Sequence, residues 1–335
     1  MDVKKICYVD TIYSLLLFLL LNITEETLYF FGENIPKNVA ENFKNYKYLT
    51  KEYKSKGCKK DIIKYFFFKN LYLFLKKNNL FDKEIYLQDH LVFSNFFLNN
   101  IKKCYLLEDG LLNYNEILLD KENEKIIKSN IFFNLKKRYI EKVRKKNKCF
   151  GLSESIQKIY LTGILPIPEL IKNKVEIINI EEKWNNLEKK NKEEILSYFN
   201  ISLENIKNLE SMKNKVLLIT QPLSEDKIIS EEEKIKIYKE KLEKYKFENV
   251  VIKPHPREKT DYKKIFNEVN VLEKNFPIEI LSLLGINFYE VVTLFSTAAL
   301  NLKGRSNINF IGTNNNIEIE KSFGKIEGKY YKKEE

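Results

Sequence analysis

Short apolar runs recur along this chain, each closed by a polar cluster and followed by a longer segment of helical character. In the first half Lys5–Val9, Thr27–Phe31, Glu84–Leu87, Cys104–Leu107, Ile156–Leu161 and Val175–Ile180 have the length and apolar density of strands. Between them Ser14–Leu21, Lys60–Lys76 and Val92–Ile101 read as helices. In the second half Val216–Thr220, Val250–Lys253, Val271–Leu272, Val291–Phe295 and Ile308–Ile311 read as strands, and Glu231–Tyr245 as a charged amphipathic helix. Strands that are apolar throughout belong to sheets covered on both faces, so the alternation predicts parallel α/β domains. The polar, helical stretch 182–215 separates the two strand-rich halves. The expected division is a Rossmann-like domain over 1–205, a second over 206–315 and a polar tail over 316–335.

One run needs a decision. Ile12–Leu21 is almost purely apolar and follows Lys4-Lys5, as a signal peptide would. The residues after it, Asn22-Ile23-Thr24-Glu25, do not form a small-residue cleavage site, and the run is short for a membrane span of about 20 residues. It is read as a buried helix, with an anchored or secreted protein as the alternative.

Composition narrows the class. The chain has 335 residues, 44% of them hydrophobic, which excludes a disordered protein and leaves room for two cores. Its net charge of +11 favours an anionic partner. Cys7, Cys58, Cys104 and Cys149 are scattered, with no CxxC pair, so reduced thiols in a cytoplasmic protein are expected. There is no GxGxxG or GxxxxGK[ST] loop and no internal repeat. The basic segment 135–146, with Leu135, Tyr139 and Val143 at helical spacing, reads as a solvated helix face, with contact to the inner, anionic face of a cytoplasmic membrane as the alternative.

The chemistry concentrates at the strand ends. Lys253-Pro254-His255-Pro256-Arg257 follows the apolar run Val250–Ile252 and holds one of only two histidines, fixed between prolines and flanked by cations. Such a loop suits a phosphate, although an ordinary polar turn would look similar. Asp89-His90, Glu108-Asp109-Gly110, Ser224-Glu225-Asp226 and Ser296-Thr297-Ala298-Ala299 also follow strands. Parallel strand ends on one sheet edge gather such clusters into a crevice. Each has a plainer reading: Gly110 as a positive-φ turn residue, Ser224 and Ser296 as helix caps.

Leu107-Glu108-Asp109-Gly110-Leu111-Leu112-Asn113, Thr220-Gln221-Pro222-Leu223-Ser224-Glu225-Asp226, Lys253-Pro254-His255-Pro256-Arg257 and Phe295-Ser296-Thr297-Ala298-Ala299-Leu300 occur in this order and at fitting distances. As a set they resemble glycosyltransferase family 52, the bacterial lipooligosaccharide sialyltransferases, over most of the chain. The resemblance implies a GT-B fold, two Rossmann-like domains with the active site in the cleft between them. It implies metal-free, inverting transfer of sialic acid from CMP-sialic acid to a hydroxyl of a terminal galactose-type sugar, with no cofactor. By the same resemblance His255 meets the CMP phosphate, Ser296 and Thr297 bind it, and Glu279 binds the cytidine ribose. Asp109 and Gly110 line the acceptor side, and Asn113, Asp89 and His90 join them as candidate substrate contacts. Lys253, Pro254, Pro256 and Arg257 accompany His255. The family's general base follows a strand-end proline. Leu223 stands directly after Pro222 here, so a small loop insertion would bring in Asp226, or next Glu225, with Asp109 and Asp89 as further alternatives.

That residue set matches the chemistry. An acceptor hydroxyl needs a carboxylate to take its proton, and departing CMP needs a proton or positive charge. A histidine titrating near neutrality supplies either. Two other functions compete: a transferase of the same fold using another sugar nucleotide, and a non-catalytic basic protein on membranes or nucleic acid. The second leaves the strand-end clusters unexplained, so no nucleic-acid partner is expected. A homodimer is left open.

Overall fold

A computed structural model describes residues 3–23, 25–49, 59–125, 147–201, 203–314 and 316–332. The basic segment 135–146 and Cys58 lie outside the described residues. The chain divides into two compact units, Met1–Tyr198 and Phe199–Glu335.

The first unit is built on strands β1 (Lys5–Val9), β2 (Thr27–Phe31), β3 (Tyr46–Tyr48), β4 (Glu84–Leu87), β5 (Lys103–Leu107), β6 (Ile156–Leu161) and β7 (Val175–Ile177). They form one parallel sheet in the order β3-β2-β1-β4-β5-β6-β7. The order reverses direction between β1 and β4, the switch point of a doubly wound sheet. β3 was not read from the sequence: Tyr46-Lys47-Tyr48 is short and polar at its centre, as suits an edge. The helix Ile12–Asn22 takes Thr11 as its cap and buries Leu15 to Leu20 completely. Apolar on every side, it lies inside the unit against β1, β5 and the helix Ile180–Asn185. Among the described residues no helix is long and apolar enough to cross a membrane. Cys7 and Cys104 are free and buried, and Cys149 is free.

The second unit carries β8 (Val216–Ile219), β9 (Val250–Lys253), β10 (Asn270–Val271), β11 (Glu290–Thr293), β12 (Asn307–Phe310) and β13 (Lys329–Tyr331). Their order is β10-β9-β8-β11-β12-β13, with the switch point between β8 and β11. All neighbours are parallel except β13, which runs antiparallel on β12. Val216, Leu218, Val250, Ile252 and Val292 meet Tyr238 and Leu242 of the helix Glu231–Leu242 in one core.

The segment read as a polar tail is not a tail. Residues Ile317–Phe323 form a helix capped by Asn316, and β13 extends the sheet. The signal was weak because an edge strand needs only one buried neighbour, and Lys-Tyr-Tyr offers little alternation. The join depends on Gly312, just after β12, at φ +84°. A Cβ there would stand 2.2 Å from the Ile326 carbonyl oxygen and 2.7 Å from the Gly328 nitrogen. Gly312→Ala should therefore destabilise the protein by about 2–4 kcal/mol, the sum of a left-handed backbone cost and a backbone clash. Urea unfolding of the variant beside wild type measures this, and an unchanged midpoint would show that the backbone relaxes freely.

Candidate active site

The predicted strand-end clusters collect at the two switch points. In the second unit the loop leaving β8 makes one tight turn. Ile228 N–H donates to the Leu223 carbonyl at 2.9 Å and Lys227 N–H to Ser224 at 3.0 Å, while Lys227 takes φ +61°. This is the Schellman closure of a helical turn, and it leaves Asp226 at the turn's end, exposed to solvent. Pro222 and Leu223 are buried beneath it.

The loop leaving β9 is a β-turn with Pro256 at its second position. Glu258 N–H donates to the His255 carbonyl at 3.0 Å. Within the turn Arg257 N–H donates to His255 Nδ1 at 3.2 Å, so a neutral ring carries its proton on Nε2. The guanidinium of Arg257 is paired through both nitrogens with the two oxygens of Asp226, one contact at 3.0 Å. Thus the structure brings His255, Arg257 and Asp226 together across the ends of β8 and β9.

The surroundings set the charges. Burial, reinforced by the cations of Arg257 and Lys253, pushes His255 down to about 4. The histidine of the free protein is therefore neutral at pH 7, not poised near neutrality. Lys253 was expected to face an anion, but its ammonium is buried and donates to the carbonyls of Lys274 at 3.0 Å and Pro254 at 3.2 Å. Burial lowers it to about 7. For Glu225, burial works against ionisation but is outweighed by hydrogen bonds from Lys259 N–H, its own N–H and Lys234, which lower it to about 2. A carboxylate so stabilised is a weak base.

Ser296 and Thr297 follow β11, half-buried, but the segment after them is a short 3-10 turn, Thr297–Leu302, and not an α-helix. No side chain caps it. The Ser296 N–H is already given to Thr293 Oγ1 at 3.1 Å. The two hydroxyls, more than a helix end, are what this position offers an anion. Glu279 is buried and accepts from Asn301 Nδ2 at 2.5 Å.

Two residues escaped the sequence reading. Glu258 is fully buried and accepts from His255 N–H at 2.7 Å, from the Tyr262 hydroxyl at 2.7 Å and from Thr220. Burial raises it despite these bonds. Lys234, on the helix Glu231–Leu242, is buried beside it. The available signal was spacing: Lys234 shares the stripe of Tyr238 and Leu242, four and eight residues on.

In the first unit Asp109 Oδ2 lies 3.3 Å from His90 Nε2, and Asp109 N–H donates to Asn113 at 2.7 Å. Burial raises Asp109, against the pull of His90. Gly110 takes the positive φ its motif suggested, +54°. Glu108 is anchored instead of exposed, accepting from Tyr13 at 2.9 Å, Tyr114 at 3.0 Å and Thr162. Asp89 is also held internally, by Phe150 N–H at 2.9 Å and Gly151 N–H at 2.7 Å, and burial raises it to about 6. His90, Asp10 and Glu33 line a cavity of about 260 Å³ with Leu91 and Phe93. Gly32 borders it, where a Cβ would meet the Asp10 carboxylate at 2.0 Å. Of the predicted first-unit residues, His90 and Asp109 face each other, whereas Asp89 serves the loop at 150–151.

Two sheets ordered as Rossmann units, each with its polar residues at the switch point, define a fold of the GT-B class. Comparison with solved structures agrees on the fold. An α/β-galactoside α-2,3-sialyltransferase of Photobacterium phosphoreum superposes with a TM-score of 0.60 at 14% identity, covering 96% of this chain and 95% of that one. A 2,6-sialyltransferase of Photobacterium sp. JT-ISH-224, in ternary complex with CMP and lactose, gives 0.57 at 12% identity over 91% of this chain and 70% of that one. The family model of glycosyltransferase family 52 matches residues 24–313, and the chain belongs to that family. An uncharacterized protein of Haemophilus influenzae is 37% identical over 328 residues, 94% of this chain and 96% of its own.

The half-buried His255 gives a pH prediction. Its folded value of about 4 lies below the ordinary 6.5, so the unfolded chain binds the extra proton between those values. The stability His255 contributes is full above about pH 6.5 and is lost as pH falls towards 4. With only two histidines in the chain, NMR titration beside His255→Gln assigns its signal. A midpoint near 4 is expected; one near 6.5 would mean the ring is solvated. Wild type should also lose more stability than His255→Gln between pH 7 and 5.

Proposed function

We propose that this glycosyltransferase moves sialic acid from CMP-sialic acid to a hydroxyl of a terminal galactose-type sugar on lipooligosaccharide, forming an α-2,3 linkage with inversion. The observation that carries the reading is the His255 turn. Its Nδ1 is occupied by Arg257 N–H, so the ring offers an Nε2–H donor from a rigid strand end. Sugar–phosphate cleavage leaves negative charge on CMP, and a fixed donor at that oxygen stabilises it. Arg257, Ser296 and Thr297 supply further donors at the ends of β9 and β11, and Glu279 takes the ribose hydroxyls. The names of the structural neighbours, with CMP and lactose in one of them, support the donor and acceptor classes.

Asp226 is the base in this reading. In the free protein its carboxylate is held by Arg257. A donor phosphate competes for the same guanidinium, because arginine binds phosphate and carboxylate through the same fork. Donor binding thereby releases the carboxylate to take the acceptor proton. Anionic CMP also raises the affinity of His255 for a proton, so the ring can donate one as CMP leaves. The Asp109–His90 pair and the cavity beside it suit a sugar acceptor, with carboxylates for hydroxyls and an apolar floor. No cofactor is needed for these steps.

A panel of CMP- and UDP-sugars with a lactose-type acceptor, followed by linkage analysis, tests the donor. Transfer from a UDP-sugar in place of CMP-sialic acid would overturn the donor assignment. His255→Ala should fold and lose about 10²–10⁴-fold in kcat, the range for removing a group acting on the proton or charge in the transition state. Asp226→Asn should lower kcat without weakening CMP binding, which instead tightens because Arg257 is freed for the phosphate. Replacing both Ser296 and Thr297 by alanine should weaken CMP binding by about 1–3 kcal/mol, the scale of bonds to a charged group, and leave neutral acceptor binding as it was. Calorimetry with CMP and acceptor separately measures both, and unchanged CMP affinity would remove these hydroxyls from the phosphate site.

A further inference from the structure

The helix Glu231–Leu242 begins directly beneath the two loops that carry Asp226 and His255. Lys234 lies in its first turn and its side chain is 0% exposed. The ammonium contacts Glu225 at 3.0 Å, Glu231 at 2.9 Å and Glu258 at 3.6 Å, and donates to Thr260 Oγ1 at 2.6 Å. Glu225 belongs to the loop after β8, one residue before Asp226. Glu258 and Thr260 belong to the loop after β9. Both loops are therefore tied to one buried cation.

The ties continue to the reactive groups. Glu225 accepts Lys259 N–H at 2.6 Å, a direct bond from one loop to the other. Glu258 accepts His255 N–H at 2.7 Å and also holds Thr220 at the end of β8. Thr260 donates to Glu231 at 2.6 Å, closing the cluster onto the helix. Nearer the surface the two loops are also joined by the Arg257–Asp226 pair, which a donor phosphate would disrupt.

Stability alone is a poor reason for such a cation. A buried ion pair replaced by apolar groups of the same volume is often as stable or more so, because its desolvation cost rivals its attraction. What an apolar replacement cannot supply is direction: a point charge whose three donors each aim at a chosen oxygen.

We propose that Lys234 is a positioning residue of the transfer, its ammonium fixing the Asp226 loop and the His255 turn in register beneath the site. The proposal rests on the sialyl-transfer reading above. Lys234 touches no substrate; it acts through Glu225 and Glu258. While Arg257 turns to the donor, the Lys234 cluster keeps base and leaving-group donor at their working separation.

The test is the double variant Lys234→Met/Glu231→Gln, which removes one charge of each sign from the cluster and leaves Glu225, Glu258 and the reactive residues in place. The expected result is a folded protein with kcat about 10²-fold lower, the scale of a misplaced catalytic group, and CMP affinity within about threefold of wild type. The control is Lys244→Met/Glu290→Gln. It breaks another ion pair of this unit, at 3.4 Å, at the opposite end of β11 from these loops. It should keep wild-type kcat. Wild-type turnover in the folded first variant, or an equal loss of kcat in the control, overturns the proposal. Should the first variant fail to fold, Thr260→Val removes the hydroxyl's bonds to the ammonium and to Glu231 without changing shape. It must then lower kcat by about tenfold, and full activity overturns the proposal. A wild-type protein that transfers no sialic acid from CMP-sialic acid sinks the underlying reading and the proposal with it. An active wild type beside unaffected variants sinks the positioning role alone.

Discussion

Buried glutamates hold the strand ends in both units, and the placement of the candidate residues rests on them. In the first unit Glu108, at the end of β5, takes hydroxyls from Tyr13 and Tyr114 and the N–H of Thr162 beyond β6. In the second Glu258 takes Thr220 from the end of β8, His255 from the end of β9, and Tyr262. A carboxylate has about four acceptor sites, so a single side chain can satisfy several strand-end donors that would otherwise be costly to bury. Parallel sheets need such devices: their loops all leave from one edge, and no ladder continues to pair the last N–H groups. In both cases burial raises the affinity for a proton while the hydrogen bonds oppose it.

The chain is strongly basic, yet the histidine turn is less positive than its sequence suggests. Of the two cations flanking His255, Lys253 is turned inward onto backbone carbonyls, and Arg257 is neutralised by Asp226. The electropositive reading counted charges without their partners. What remains for a ligand is a set of directed donors whose partner can be exchanged, instead of a standing positive field. This makes the neighbourhood selective for groups that bind a guanidinium better than a carboxylate does, phosphates above all.

Much of the fold was legible because apolar strands of a covered parallel sheet leave runs that nothing else in a polar chain imitates. The central strands β1, β2, β4, β5, β8, β9 and β11 were read that way, and β3 and β13, at the edges, were not. The site was legible where residue type and position agreed: a histidine between prolines, or hydroxyls after Val291–Phe295. It was not legible where an unremarkable charge had been drawn inside. Glu258 and Lys234 sit in stretches crowded with glutamate and lysine; only its spacing with Tyr238 and Leu242 marked Lys234, and nothing local marked Glu258 as the buried member. The roles of Asp89 and Lys253 were obscured for the same reason. A polar side chain at a strand end can turn inward to serve the backbone or outward to a ligand, and the local sequence is the same in either case.

The antiparallel strand β13 gives the second sheet a closing edge. Without it β12 would present the unpaired backbone groups of Asn-Ile-Asn-Phe, a short, uncharged, partly apolar template on which another chain could add by strand pairing. Lys-Tyr-Tyr, flanked by Gly328 and Lys332, is a poorer template: lysine on an outermost strand discourages continuation of the ladder. Residues 329–331 thus act as a guard against self-association of the sheet. Their removal would change the solubility of the protein before it changed any residue of the transfer chemistry.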